Sequence, residues 1–340
     1  MALIAMRIAV DAMGGDHAPA RPVEGALAAA RNLGLGVDLV GRADQIDSEL
    51  QRHPDASSLD VRVIDAPDVV DMAESPAKAL RRKPRASIRV AADHVAAGKA
   101  SALFSAGHTG ASVVAAHAAF GMLKGVDRPA LAPTVPTKRG AAVLLDAGAT
   151  VECKPAHLLQ FAHMGAIYAR VGLGIERPRV GLLSIGEEET KGNELTREAH
   201  QLLKTSALAF VGNVEARGIF SGDADVVVCD GFTGNVALKL SEGLVEMVED
   251  LLGEELQSTF SSQVGYLLSR RAFRRFRKRV DYSEFGGAPL LGVAGLCIVG
   301  HGRSSVKAVR NAVAMASRMA ANQMMERLRG QMATVVVSRS

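Results

Sequence analysis

In four short segments, glycine stands beside an acidic, amide, hydroxyl, ammonium or imidazole side chain and the chain then runs straight into a helical pattern. They are Gly14-Gly15-Asp16-His17, Gly107-His108-Thr109-Gly110, Lys191-Gly192-Asn193 and Asp230-Gly231-Phe232-Thr233-Gly234-Asn235. Small residues ahead of a helix leave its first backbone N–H groups open at the end that carries a partial positive charge, which suits a phosphate oxygen. Lys191, between Glu187-Glu188-Glu189 and the Gly192-Asn193 turn, adds an ammonium able to draw in such an anion or to polarise a carbonyl oxygen as charge develops on it. His108 can donate to an anion or serve as a base near neutrality, and His301 in Gly300-His301-Gly302 offers the same chemistry. Each residue also has a plainer use. Glycine supplies positive φ in any turn, a lone turn histidine is often structural, and Asp16, Asp230 and Asn235 are of the types that cap helices and make turns. Recurrence is what points to a ligand. No Gly-x-Gly-x-x-Gly follows the first strand and no Gly-x-x-x-x-Gly-Lys-Ser/Thr occurs, so the expected anion is small, or is carried on something other than a nucleoside.

These turns need strands to hold them. Apolar runs at 7–11, 102–105, 179–185 and 225–229 lead into the four segments, and helical spacing follows at 23–33, from Ala111, through Lys204, and over 236–252. Further strand-like runs lie at 37–40, 61–64 and 141–145. The alternation predicts an α/β fold, a largely parallel sheet with helices on both faces, and places ligands beyond the carboxyl ends of the strands, where the glycine turns fall. With no linker or sequence repeat, residues 7–330 are expected to form a single catalytic α/β unit.

Composition narrows the function classes. A chain of 340 residues that is 48% hydrophobic can bury a large core, but with no Trp and 4% aromatic residues it lacks the faces of a base-stacking nucleic-acid platform. Cys153, Cys229 and Cys297 are dispersed and unpaired in spacing, so no disulfide frame or zinc site is indicated and a reducing, cytoplasmic setting fits. The apolar start precedes its first charge, Arg7, the reverse of a secretory signal, and no apolar run approaches the roughly 20 residues that cross a bilayer.

Charge is concentrated. The formal net charge is +4, yet 270–279 holds seven cations and no acid, so the rest of the chain is slightly acidic. Arg81-Arg82-Lys83 forms a second cluster, either a solvated face or a contact for phosphate or an acidic carrier. Upstream of the large cluster, Phe260, Val264, Leu267 and Leu268 share one helical face, whereas Phe273, Phe276 and Val280 occupy another. That change of phase predicts a break near Ser269 and an amphipathic basic helical hairpin over 256–280. Phe260, Leu267, Leu268, Arg271, Arg274 and Arg275 are its candidates for peripheral contact with an anionic membrane, each cation contributing about 1 kcal/mol. Packing of the arm against a second subunit is the alternative.

The run Ile8-Ala-Val-Asp-Ala-Met-Gly-Gly-Asp-His-Ala-Pro19 resembles the opening of bacterial phosphate acyltransferases, the acyl-carrier-protein-dependent enzymes of phospholipid synthesis. Similar segments follow in family order: Arg128-Pro-Ala-Leu-Ala-Pro133, Lys154-Pro-x-His157, Lys191-Gly-Asn-Glu-Leu195, Gly212-Asn-Val-Glu-Ala216, Asp230-Gly-Phe-Thr-Gly-Asn235 and Tyr282-x-x-x-Gly-Gly287. The resemblance implies transfer of a fatty acyl group from acyl carrier protein to inorganic phosphate, giving acyl phosphate for a membrane glycerol-3-phosphate acyltransferase. It also implies a homodimer, no metal or organic cofactor, a membrane-touching hairpin near 256–280, and a fold related to phosphotransacetylases and isocitrate dehydrogenases. Two positions depart from the family pattern: His108 stands where a small polar residue is common, and Thr150 replaces an asparagine.

On that resemblance, Lys191, Asn193 and Asp230 become the expected catalytic residues. Gly14, Gly15, Asp16, His17, His108, Thr109, Gly110, Asn213, Thr233 and Asn235 are then expected to bind phosphate or position the acyl carbonyl. Phosphate is itself nucleophilic and a thiol leaves readily, so no covalent enzyme nucleophile is required. A short-chain phosphotransacetylase using coenzyme A, and a catalytically silent membrane scaffold, are the rival readings.

Overall fold

A computed structural model describes residues 6–281 and 284–337, with side chains as far as 333. The apolar start ahead of Met6, and Tyr282, lie outside the described residues. The chain opens with β1 (Arg7–Asp11), α1 (Ala20–Leu33), β2 (Gly36–Gly41), α2 (Ala43–Leu50), β3 (Val61–Asp65), α3 (Pro76–Arg82), α4 (Ser87–Ala96), β4 (Ala102–Ser105), α5 (Thr109–Phe120) and β5 (Ala130–Leu131). A second group follows: β6 (Thr134–Thr137), β7 (Gly140–Leu145), α6 (Pro155–Leu173), β8 (Arg179–Leu183), α7 (Glu194–Lys204), β9 (Ala209–Val214), β10 (Val226–Val228), α8 (Gly231–Ser258) and α9 (Phe260–Val280). The chain then returns with β11 (Ala288–Leu291), β12 (Cys297–Val299), α10 (Val306–Ala321) and α11 (Met324–Val337).

The strands form two sheets. One has the order β3-β2-β1-β4-β12-β11-β5 and the other β6-β7-β10-β8-β9. Five neighbours, β3 to β12, run parallel in the first, and β11 at its edge is antiparallel to both β12 and β5; the second is parallel except for β6. Strand alternation thus gave the fold class, but not the division into two sheets. That division depends on which strands pair across long stretches of chain, which local periodicity does not encode.

Burial explains why the sheets stay together. Ile8 and Val10 of β1, Phe104 of β4, Val143 and Leu145 of β7, and Leu158, Phe161 and Met164 of α6 belong to one continuous buried cluster. α6 is buried along most of its length, and its Tyr168 hydroxyl hydrogen-bonds Thr134 Oγ1 at 3.0 Å, so its one polar atom is satisfied.

The hairpin lies elsewhere than the sequence pattern suggested. α8 is its first arm, the turn falls at Thr259, and α9 passes through Ser269 without a break. Thr259 leaves helical geometry at φ −133° and caps α9 by accepting the Ser262 N–H at 3.1 Å. The two apolar faces belong to one helix: Tyr266, Phe273 and Phe276 line a crevice against Leu252 and Leu256 of α8. Phe260 and Leu268, both 82% exposed, face away.

Candidate active site

The ends of β1, β4 and β12 are neighbours in one sheet, and their turns stack on each other. Asp16 N–H donates to the Gly302 carbonyl at 2.8 Å, and Gly300 N–H to the Ser105 carbonyl at 2.8 Å. A Cβ on Gly14 would lie 2.7 Å from the Gly107 backbone nitrogen, so only glycine lets the first two turns approach this closely. Gly15 adds the left-handed geometry, φ +106°, that bends the chain toward α1. Beneath them Asp11 is buried, accepting from Ser105 Oγ at 2.7 Å and from Met13 N–H at 3.2 Å, while Ser105 Oγ accepts from Gly107 N–H at 3.1 Å. Burial pushes the Asp11 carboxyl up, against the opposing pull of the Ser87 and Ser105 hydroxyls and the Met13 N–H.

Two cavities open from this junction. The smaller, about 260 Å³, is lined by Asp11, Gly14, Gly15 and Ser105, by residues 69–72, and by Ser87 and Ser112 in the first turns of α4 and α5. Lys83, from the second cationic cluster, holds its outer wall by donating to the Val69 carbonyl at 2.8 Å and to Glu74. The larger, about 500 Å³, lies between the sheets. Its apolar lining includes Leu131, Pro133, Val135, Leu238, Phe285 and Val299, and its polar lining includes Asp16, His108, Thr109, Asn235, Lys239, Glu242, His301 and Arg303. Asp16, Met72, Gly107 and His108 line both, so the cavities adjoin there.

His108 caps α5: its Nδ1 accepts the Gly110 N–H at 3.1 Å. That bond occupies the Nδ1 lone pair, so the neutral ring carries its proton on Nε2 and is a donor to the cavities rather than a base. Asn235, which lines the large cavity, is held by donating to the Ala147 carbonyl at 3.1 Å.

The remaining expected residues are placed elsewhere. His17 is exposed and lines neither cavity, Gly110 serves through its bond to His108, and Asp230 spends both carboxylate oxygens on Thr233 as the cap of α8. At the end of β8, Lys191 is exposed and Asn193 caps α7 through the Thr196 N–H at 2.9 Å. Asn213 is buried, donating to the Glu188 carbonyl at 2.8 Å and bonded to His200 Nδ1 at 2.9 Å; it shapes the loop that carries Lys191. None of Lys191, Asn193, Asn213, Asp230 and Thr233 lines either cavity.

Sequence reasoning passed over a residue that ties the two sheets together. Asp146, fully buried, accepts from the backbone N–H of Leu131 at 2.7 Å, of Gly148 and Ala149 at 3.0 Å each, and of Thr150 at 2.6 Å. Burial pushes its pKa up to about 6 despite those four donors. Thr150, at the departure from the family pattern, directs its hydroxyl to the Pro129 carbonyl at 2.8 Å. Thiol chemistry is disfavoured nearby: burial pushes Cys153 and Cys297 up to about 12 and raises Cys229 well above its ordinary range.

Known proteins share this fold. The phosphotransacetylase of Streptococcus pyogenes superposes with a TM-score of 0.62 at 16% identity, covering 93% of this chain and 94% of that one. A phosphotransacetylase from Staphylococcus aureus gives 0.57 at 17% identity over 93% and 94%, and a 4-hydroxythreonine-4-phosphate dehydrogenase from Klebsiella pneumoniae 0.55 at 14% over 93% and 99%. At such identities the likeness is one of fold. In sequence, the phosphate acyltransferase of Geobacter sulfurreducens is 51% identical over 97% of this chain and 95% of its own length, and that of Geotalea uraniireducens is 52% identical over 95% and 93%. The family model described as fatty acid synthesis protein matches residues 6–327. The chain therefore belongs to that family and is a bacterial phosphate acyltransferase.

Proposed function

We propose that the chain transfers a long-chain acyl group from acyl carrier protein to inorganic phosphate, releasing acyl phosphate for a membrane glycerol-3-phosphate acyltransferase. The large cavity carries this reading. Its apolar wall suits an acyl thioester, and its donors cluster at the carboxyl ends of β4 and β12, where a phosphate can be held beside the carbonyl. A phosphate oxygen adds to the thioester carbonyl carbon to give a tetrahedral oxyanion, whose collapse breaks the C–S bond, and the thiol departs carrying a proton that phosphate gives up. The protein's work is alignment and stabilisation of the developing oxyanion. Gly14, Gly15, Asp16, His108, Thr109 and Asn235 are its contacts in this reading, and Lys191 acts from outside, drawing the anion in.

The long hairpin gives the enzyme a route to its consumer. Among the described residues no helix is long and apolar enough to cross a membrane, yet Phe260, Leu267 and Leu268 are exposed beside the Arg270–Arg279 cations. This combination fits peripheral docking on the inner face of the cell membrane. The first arm exposes Val236, Leu240, Leu244, Met247 and Leu251 at helical spacing, a stripe suited to a second copy in a homodimer.

The decisive experiment supplies phosphate with either acyl-carrier-protein thioester or acyl-coenzyme A and traps acyl phosphate with hydroxylamine. Preference for the carrier-protein donor is expected. Preference for short-chain coenzyme A esters would favour a phosphotransacetylase, and no product from either donor would leave a scaffold. For the hairpin, vesicle flotation should weaken when Arg274, Arg275, Arg277 and Lys278 are neutralised; unchanged flotation would rule out electrostatic docking.

A further inference from the structure

We propose that His301 contacts substrate, presenting a fixed Nε2–H donor to an anionic oxygen in the large cavity; the proposal rests on the acyl-transfer reading above. His301 follows β12 in a turn whose backbone is tied on both sides. Gly302 accepts the Asp16 N–H and Gly300 donates to Ser105, each at 2.8 Å, so the ring's base cannot drift from the first two glycine turns. Its Nδ1 accepts the Arg303 N–H at 3.1 Å. As in His108, that bond uses the Nδ1 lone pair and assigns the proton of the neutral ring to Nε2.

Nε2 itself is bonded to no described residue. The nearest acid, Glu242 of α8, has an oxygen 4.0 Å away, beyond hydrogen-bond reach, and both residues line the cavity. The ring thus faces Glu242 of α8, a long-range ionic neighbour, with its Nε2 hydrogen-bonded to no described residue, while His108 lines the same cavity from the adjacent β4 turn. Two histidines locked in one tautomer by the same local bond, at the ends of neighbouring strands, line one cavity, and in this proposal they act as a pair of N–H donors. What such a pair recognises is an oxygen bearing negative charge, either on bound phosphate or on the thioester carbonyl as the tetrahedral state forms.

Two substitutions separate the ring's internal bond from its external one. His301→Asn keeps an oxygen that can accept the Arg303 N–H but has nothing at the Nε2 position. His301→Gln reaches an amide N–H to about that position and gives up the Nδ1 bond. If Nε2 serves substrate, the Asn variant should keep a thermal midpoint near that of the wild type while losing about 10²-fold in kcat/KM. The Gln variant should recover part of that loss. A rise in KM for phosphate assigns the donor to phosphate; a fall in kcat at constant phosphate KM assigns it to the carbonyl. An Asn variant within about twofold of the wild type, or a Gln variant no better than the Asn variant, would overturn the proposal. So would ¹⁵N-histidine spectra of the wild-type protein that place the His301 proton on Nδ1, a measurement needing no variant to fold. Wild-type protein that makes no acyl phosphate from either donor would instead sink the underlying reading.

Discussion

The glycine turns of the first sheet and those of the second are written in the same residue types, yet they end differently. Gly14-Gly15, Gly107-His108 and Gly300-His301-Gly302 close strands that are neighbours, and their backbones touch around one pair of cavities. In the second sheet, Asp230–Asn235 is packed against the Asp146 loop and sends only Asn235 to the large cavity, while the Lys191 turn stands at the end of β8, exposed. A turn's composition sets its local geometry, but strand order decides whether it meets another turn. Sites in open α/β folds are therefore properties of the sheet before they are properties of a motif.

That difference can be attacked first where the sheets join. A Cβ on Gly234 would fall 1.9 Å from the Asp146 carbonyl oxygen, a backbone atom that cannot move without shifting the loop. Gly234→Ala is expected to cost about 3 kcal/mol, read as a lower urea midpoint, and to displace Asn235 from the cavity. An unchanged midpoint would mean that the join is looser than its geometry indicates.

Asp146→Asn tests the same join more gently and through pH. An amide oxygen can replace one carboxylate oxygen, but its NH₂ would then face the Thr150 N–H, and the expected cost is about 1–3 kcal/mol. The Asp146 pKa is raised by burial from 3.8 to about 6. The contribution of this group is therefore fully present below the unfolded value and is lost as pH rises through about 6. The Asn variant has no such group, so the stability gap between the two proteins should be widest near pH 4 and narrow toward neutrality. Urea midpoints at intervals from pH 4 to 7 measure it; a gap that widens with pH contradicts the assignment.

Much of this was legible in the sequence, and what was not has physical reasons. Strand-turn-helix units could be read because apolar runs and glycine are local signals, whereas Asp230 and Asn193, expected to be catalytic, cap α8 and α7. The units' meeting points could not be read, since β12 inserts beside β4 only after the chain has built the second sheet. The hairpin turn was misplaced because α9 has two apolar faces, one against α8 and one outward, and a change of face within one helix imitates a change of helix. Asp146 was missed for a different reason. A single Asp after a strand carries no periodicity, and its importance comes from four backbone donors that the fold brings to it.

Lys191 gives the smallest effect and the sharpest test of the comparison. It is exposed and lines neither cavity, so the role left to it is long-range attraction, which raises the local concentration of an anion without contacting the reacting atoms. Lys191→Ala should then raise KM for phosphate by about tenfold at low ionic strength and leave kcat within about twofold. Added salt should erase most of the difference, because an exposed charge is screened beyond a Debye length of about 8–10 Å. The alternative has a distinct signature: a fall in kcat of about 10² or more that persists in high salt would put the ammonium on the reacting oxygen. That result would require the β8 turn to join the cavity when substrate binds. The two sheets would then contribute equally to the site, and the contrast between them would hold only for the unliganded protein.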